Sequence, residues 1–225
     1  MQVIKIFIPK AFLILSFFVL VACKSEFLVE AYVSDAFLDE NINTPASMKV
    51  EIPSCGSQSE YEGKIISLFD STSNAKILGC EEKGMESFMV VSLDAEMATE
   101  TSKRDLILFR ESFGDLEIDG TLYEVMALKP VISGDFLQRV NSLMEENMQT
   151  LSYENVKFEI ALNNDEREDA IITAYNLWVD GKPFQNYRRQ FLKRRGKITL
   201  TFSNLTSDLI LQNKMPIVTF VGRLK

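Results

Sequence analysis

Apolar and polar side chains alternate along much of this chain. Leu28-Val29-Glu30-Ala31-Tyr32-Val33 does so imperfectly, and Met48-Lys49-Val50-Glu51-Ile52 does so cleanly before stopping at Pro53. A period of two sends alternate side chains to opposite faces, so each run is expected to be a half-buried strand. Residues 87–95 and 105–109 are rich in strand formers. Residues 155–162 alternate with Val156, Phe158 and Ile160 on one face, and 171–179, 198–202 and 217–221 read as further strands. Leu116-Glu117-Ile118 and Leu122-Tyr123-Glu124-Val125 flank Asp119-Gly120, the dipeptide of a type I′ hairpin turn. Asp180-Gly181 marks another turn, and the polar run 163–169 separates two strands.

Helical periodicity is rarer. Ser133 suits the N-cap of a helix whose apolar stripe is Phe136, Leu137, Val140, Leu143 and Met144. A second helix is expected over 60–69, with Tyr61, Ile65, Leu68 and Phe69 on one face. A short third is expected over 206–212, capped at Asn204 or Thr206. Hairpin-linked strands with few helices indicate an α+β fold. The expectation is mainly antiparallel sheet of about 8–10 strands with two or three short helices. It forms one compact domain over 23–225, or two small subdomains divided near 120. The stretch from Tyr32-Val33-Ser34-Asp35 to the strand at Met48 is echoed from Thr201-Phe202-Ser203-Asn204 to the strand at Ile217. Ordinary strand–cap–connector grammar accounts for that echo without a duplication.

Composition narrows the chemistry. The 225 residues hold 24 Lys and Arg against 32 Asp and Glu, and no histidine. Without histidine there is no Ser-His-Asp or Cys-His catalysis, and the commonest zinc ligand is missing. Acidity is uneven: 23–120 carries 8 Lys and Arg against 20 Asp and Glu, and 121–225 carries 14 against 12.

Residues 1–22 contain no acid, carry Lys5 and Lys10, and run apolar from Ala11. A basic start followed by an apolar stretch of this length reads as a secretory signal, and it is short for a membrane-spanning helix. It ends in Leu20-Val21-Ala22-Cys23, which resembles the lipobox of bacterial lipoproteins. That resemblance implies cleavage before Cys23 and acylation of Cys23. It implies a lipid-anchored, periplasm-facing protein of the bacterial envelope. Three acyl chains, at about 0.8 kcal/mol per buried CH₂, hold a protein firmly in a membrane. Lys24 stands where inner-membrane lipoproteins of enterobacterial type carry Asp, which favours the outer membrane. The first strand begins so soon after Cys23 that the domain is held close to the headgroups.

With Cys23 acylated, Cys55 and Cys80 remain. In an oxidising periplasm an isolated pair most simply forms a disulfide. Neither has the Cys-X-X-Cys or histidine neighbours of a redox or metal site.

No nucleotide-binding loop, nucleophile elbow, zinc motif or EF-hand is present. Asp165, Glu166, Glu168 and Asp169 lack the spacing of a calcium loop and read as a solvated hairpin tip. The most distinctive polar feature is Arg188, Arg189, Lys193, Arg194, Arg195 and Lys197, six cations in ten residues without an acid. Arginine in such density suits phosphate or carboxylate recognition, and the expected counterpart is anionic lipid, lipopolysaccharide or an acidic envelope protein. A solvated strand edge, or pairing with acids elsewhere in the chain, would explain the same residues. No cofactor, metal or nucleic-acid partner is expected. The leading expectation is a non-enzymatic, membrane-anchored binding module. The alternatives are a carboxylate-based hydrolase of envelope polymers and an exclusion or immunity lipoprotein.

Overall fold

A computed structural model describes residues 24–100, 104–146, 156–184, 189–212, 214 and 219–225. Among these described residues, thirteen strands join in one sheet. They are β1 (Ser25–Tyr32), β2 (Ile42–Ile52), β3 (Lys76–Lys83), β4 (Glu86–Ala98), β5 (Leu106–Ile118), β6 (Thr121–Ile132) and β7 (Val156–Asn163). The rest are β8 (Ala170–Ala174), β9 (Leu177–Val179), β10 (Lys182–Pro183), β11 (Arg189–Leu192), β12 (Lys197–Phe202) and β13 (Thr219–Leu224). The helices are α1 (Gln58–Ile66), α2 (Gly134–Glu146) and α3 (Asn204–Leu211). Twelve strands follow the order β10-β9-β12-β7-β1-β2-β4-β5-β6-β13-β8-β11, and β3 pairs with β4 beside that path. Pairing is antiparallel except β1 with β7 and β4 with β5.

The sheet curls on itself. β8 and β9 stand near opposite ends of the strand order, yet only Tyr175 and Asn176 separate them in the chain. So short a link spans only about 10 Å, which brings the two ends of the path together. The inner face makes one core, from Phe27 and Met48 through Met89, Leu108 and Leu128 to Ile160, Ile172, Leu200 and Val221.

Two ends can then be told apart. β1 and β7 run in parallel from Ser25↔Val156 to Tyr32↔Asn163, and β12 runs back from Lys197↔Asn163. The helices belong to the end where β1 begins: α1 follows β2, α2 leads toward β7, and α3 follows β12. This helix end is filled by apolar rings. Phe27 stacks on Phe158 at 5.1 Å, and Phe136 of α2 meets Phe27 at 6.3 Å and Phe69 at 5.3 Å. Cys55 and Cys80 form a disulfide with Cα atoms 5.5 Å apart, tying the segment that holds α1 to β3. The opposite end carries the connections 33–41, 164–169 and 193–196 and the start of β8.

The α+β expectation holds in its coarse form, with mainly antiparallel sheet and three short helices. The strand number is higher than the 8–10 expected, for identifiable reasons. The run 171–179 breaks at Asn176, whose φ of 54° ends β8 and starts β9 on the other side of the curl. β3 was hidden by Gly79 and its acidic, exposed sequence, and β11 by its charge. Conversely, 105–109 and 116–118 are one strand, β5. β2 begins at Ile42 and keeps Pro45 inside it, opposite Asp94. Ser133 caps α2, its hydroxyl accepting from the Phe136 amide at 3.1 Å. The cap of α3 is Ser203, not Asn204 or Thr206. The two echoed segments take different places: β1 and β2 are neighbours, whereas β12 and β13 are far apart in the order. The end of the second segment, 215–218, lies outside the described residues.

Candidate functional site

The basic stretch divides among three situations. Arg188, like Cys23, lies outside the described residues. Arg189 opens β11, whose register pairs it with Thr173 of β8. The other four cations sit on or beside the turn joining β11 to β12, at the loop end. Lys193 Nζ donates to Asp169 Oδ2 at 2.7 Å, and the Arg194 amide donates to Asp169 Oδ1 at 2.9 Å. The hydrogen bond from Lys193, and then that from the Arg194 amide, hold the Asp169 carboxyl below its ordinary pKa. Lys197 lies 3.5 Å from Glu30. The side chains of Arg194 and Arg195 are exposed and make no ion pair among the described residues. Pairing within the chain thus takes up part of the run, and Arg194 and Arg195 project from the turn.

The acidic run nearby is distributed over separate partners. Asp165 accepts from the Ser34 amide at 3.0 Å and from its hydroxyl, while Glu166 lies 3.7 Å from Arg223. Among the described residues, no group of three or more Cys, Asp or Glu could hold a metal ion. These contacts close the loop end with polar groups. Arg110 of β5 is fully buried, its Nη1 donating to the Asp35 carbonyl at 2.5 Å and its Nη2 to the Glu40 carbonyl. Burial lowers its pKa, while Asp35, Asp39 and Glu40 act the other way. Burial and then the neighbouring Asp165 raise the pKa of Asp35, against the pull of Arg110. Asn164, also buried, donates to the Glu168 and Leu192 carbonyls at 2.9 and 2.8 Å. The Arg223 guanidinium sits 4.3 Å from the Phe37 ring centre.

A second feature was not foreseen from the sequence. On the outer face of β6-β13-β8-β11, the registers set out two rows of side chains. Phe220, Thr173 and Arg189 form one, and Val125, Gly222, Ile171 and Phe191 the next. Tyr123, Val125 and Ile171 make a small apolar cluster separate from the main core, with Leu116, Ile118 and Phe220 packed on it. The register of β5 against β6 shifts between Ser112 and Gly114, leaving Phe113 as the extra residue of a bulge. Gly114, at φ 98°, takes the backbone conformation that such a bulge asks of glycine. The bulge aims Phe113 at this face, where its ring meets Phe220 at 4.8 Å while remaining 67% exposed. Tyr175 flanks Phe220 at 6.1 Å.

The result is a cleft of about 350 Å³ bounded by Phe113, Leu116, Phe220 and Tyr175, with Arg189 and Thr173 among its polar walls. Its floor is Gly222, where a Cβ would come within 2.5 Å of Ile171 and 3.4 Å of Val125. A larger residue there would displace those side chains. The volume falls at the lower end of small-ligand sites, which typically combine apolar walls with a few polar groups. Of the described residues expected to bind an anionic surface, Arg189 alone belongs to this cleft. The legible signal was Phe113-Gly114 inside an otherwise β-rich stretch, since an isolated glycine there marks a bulge.

Residues 27–222 match the family described as Domain of unknown function (DUF7424), and the chain belongs to that family. No curated protein and no solved structure matches the chain.

Proposed function

We propose that this DUF7424 protein is a bacterial lipoprotein, anchored through Cys23 and facing the periplasm. In this reading it is a non-enzymatic binding module whose contact surface is the basic turn at the loop end. The observation that carries the reading is the separation of Lys24 from that turn. Lys24 precedes β1, and Lys197 lies beside the far end of the same strand. Seven residue steps separate Ser25 from Tyr32, or roughly 23 Å at about 3.3 Å per residue. That is more than two Debye lengths at physiological salt, where one is about 8 Å. With β1 standing upright on the membrane, an anchor at Cys23 puts Arg194 and Arg195 outside the electrostatic reach of the headgroups around it. The end nearest the anchor is instead rich in acids, with Lys24 itself engaged by Glu86 and Glu51. A basic turn held away from its own membrane suits an acidic envelope protein better than the lipid beside the anchor.

The test uses the full-length protein in its native envelope. Palmitate labelling should be lost in Cys23→Ser. Affinity capture should retain an acidic envelope protein that high salt releases, and Arg194→Gln with Arg195→Gln should abolish that capture. Persistent label in Cys23→Ser overturns the anchor, and capture unchanged by the double substitution overturns the contact surface.

A further inference from the structure

The outer-face cleft calls for a different occupant from the basic turn. Its lining is mostly apolar, with one charged side chain, Arg189, set among aromatic and aliphatic groups. Phe220, Thr173 and Arg189 stand in register on three adjacent strands, and the floor beside Phe220 is apolar, with Ile171 and Val125 packed over Gly222. Strands lie about 4.8 Å apart, so the Arg189 position is roughly 10 Å from Phe220 across the groove. At the other side Phe113 and Leu116 come in from β5, and the exposed Phe113 ring leaves its apolar surface unburied. Apolar surface of this kind favours a hydrocarbon or aromatic body. The guanidinium favours a planar anion able to accept two hydrogen bonds, and the Thr173 hydroxyl supplies one more donor. A single cation balances one negative charge, which favours a carboxylate over a doubly charged phosphate ester.

We propose that this cleft binds a small amphipathic carboxylate, its apolar body between Phe113, Leu116 and Phe220 over Gly222 and its carboxylate on Arg189. The assignment stands on the cleft alone and is independent of the anchor and of the basic turn.

Titration calorimetry with octanoate and with 1-octanol tests it on the folded protein. Octanoate should bind saturably at one site per chain and more tightly than octanol. Arg189→Gln should lower octanoate affinity about tenfold, the effect of losing a hydrogen bond to a charged group, and leave octanol unchanged. Phe113→Ala, at an exposed ring whose loss leaves the main core intact, should weaken both ligands. Arg194→Gln with Arg195→Gln should alter neither, which separates this site from the basic turn. Absence of saturable octanoate binding overturns the proposal, as does an octanoate preference that survives Arg189→Gln. It is also overturned if Arg189→Gln weakens sedimentation with phosphatidylglycerol vesicles while octanoate binding stays intact, because Arg189 would then serve a lipid surface.

Discussion

The two ends of the curled sheet are closed by different balances of contact, the helix end mainly by rings, with an ion pair of the buried Asp105 and Arg139 among them. At the helix end, Phe27, Phe69, Phe136 and Phe158 pack against one another, and the Cys55–Cys80 disulfide secures the segment bearing α1. At the loop end the closure is polar. Arg110 reaches the carbonyls of the β1–β2 connection, Asn164 holds the β7–β8 and β11–β12 connections, and Asp165 holds Ser34. Apolar packing is non-directional and tolerates repacking, whereas buried hydrogen bonds demand particular partners at particular distances. The loop end therefore owes more of its shape to individual polar side chains than the ring-packed helix end does. It is also where the exposed arginines project.

Removing the covalent staple should have the largest effect. Cys55→Ser with Cys80→Ser reopens a loop with a sequence separation of 25, worth about 3.5 kcal/mol in the chain-entropy model. Denaturant melts should show this loss while the loop-end contacts persist. A loss under about 1 kcal/mol would mean that apolar packing alone sets the stability of the helix end. Arg110→Met should cost less, about 2 kcal/mol. It keeps apolar bulk inside the sheet but leaves the Asp35 and Glu40 carbonyls without their buried donor. Amide exchange should quicken around 33–41 and stay unchanged in α2. Equal quickening at both ends would erase the distinction between them.

The same contrast explains what the sequence made legible. The inward faces of β1, β7 and β12 follow from alternation, because burial acts on every second residue regardless of partner. The stripe of α2 and its Ser133 cap are equally local. The disulfide was legible because only two cysteines remained once Cys23 was set apart. Arg110 was not, since a lone arginine in a strand reads as solvent-facing until its carbonyl partners, 70 and 75 residues away in the chain, are known. The cleft was hidden for the same reason. It depends on strands from both halves of the sequence lying side by side and on a bulge that turns Phe113 outward. The basic stretch was seen as a unit, but the fold places Arg189 in the cleft and pairs Lys193 and Lys197 with Asp169 and Glu30.

The smallest expected effect is on the pH response, and it separates two carboxylates of opposite character. Burial acts to raise the pKa of Asp70. Hydrogen bonds from Thr72 and Ser73 outweigh it and leave the carboxyl below its ordinary 3.8. A depressed carboxyl contributes stability above its unfolded pKa and loses it as pH falls through the folded value. Asp70→Ala should therefore lower Tm at pH 7, by the equivalent of about 1 kcal/mol for a lost cap, and this deficit should shrink below pH 3.8. Asp35, raised by burial and by Asp165, behaves in reverse. The fold holds its proton more tightly than the unfolded chain does, so its contribution is fullest at low pH and declines as pH rises through the raised value. Asp35→Asn should leave Tm unchanged near pH 3 and raise it slightly at pH 7, by no more than about 0.5 kcal/mol after solvent screening. Thermal melts of the two variants from pH 2.5 to 7, on the protein with its disulfide intact, would show the two differences from wild type diverging with pH. Parallel curves would mean that the two carboxylates sit in equivalent surroundings, and that the loop end owes nothing to a desolvated acid beside Arg110.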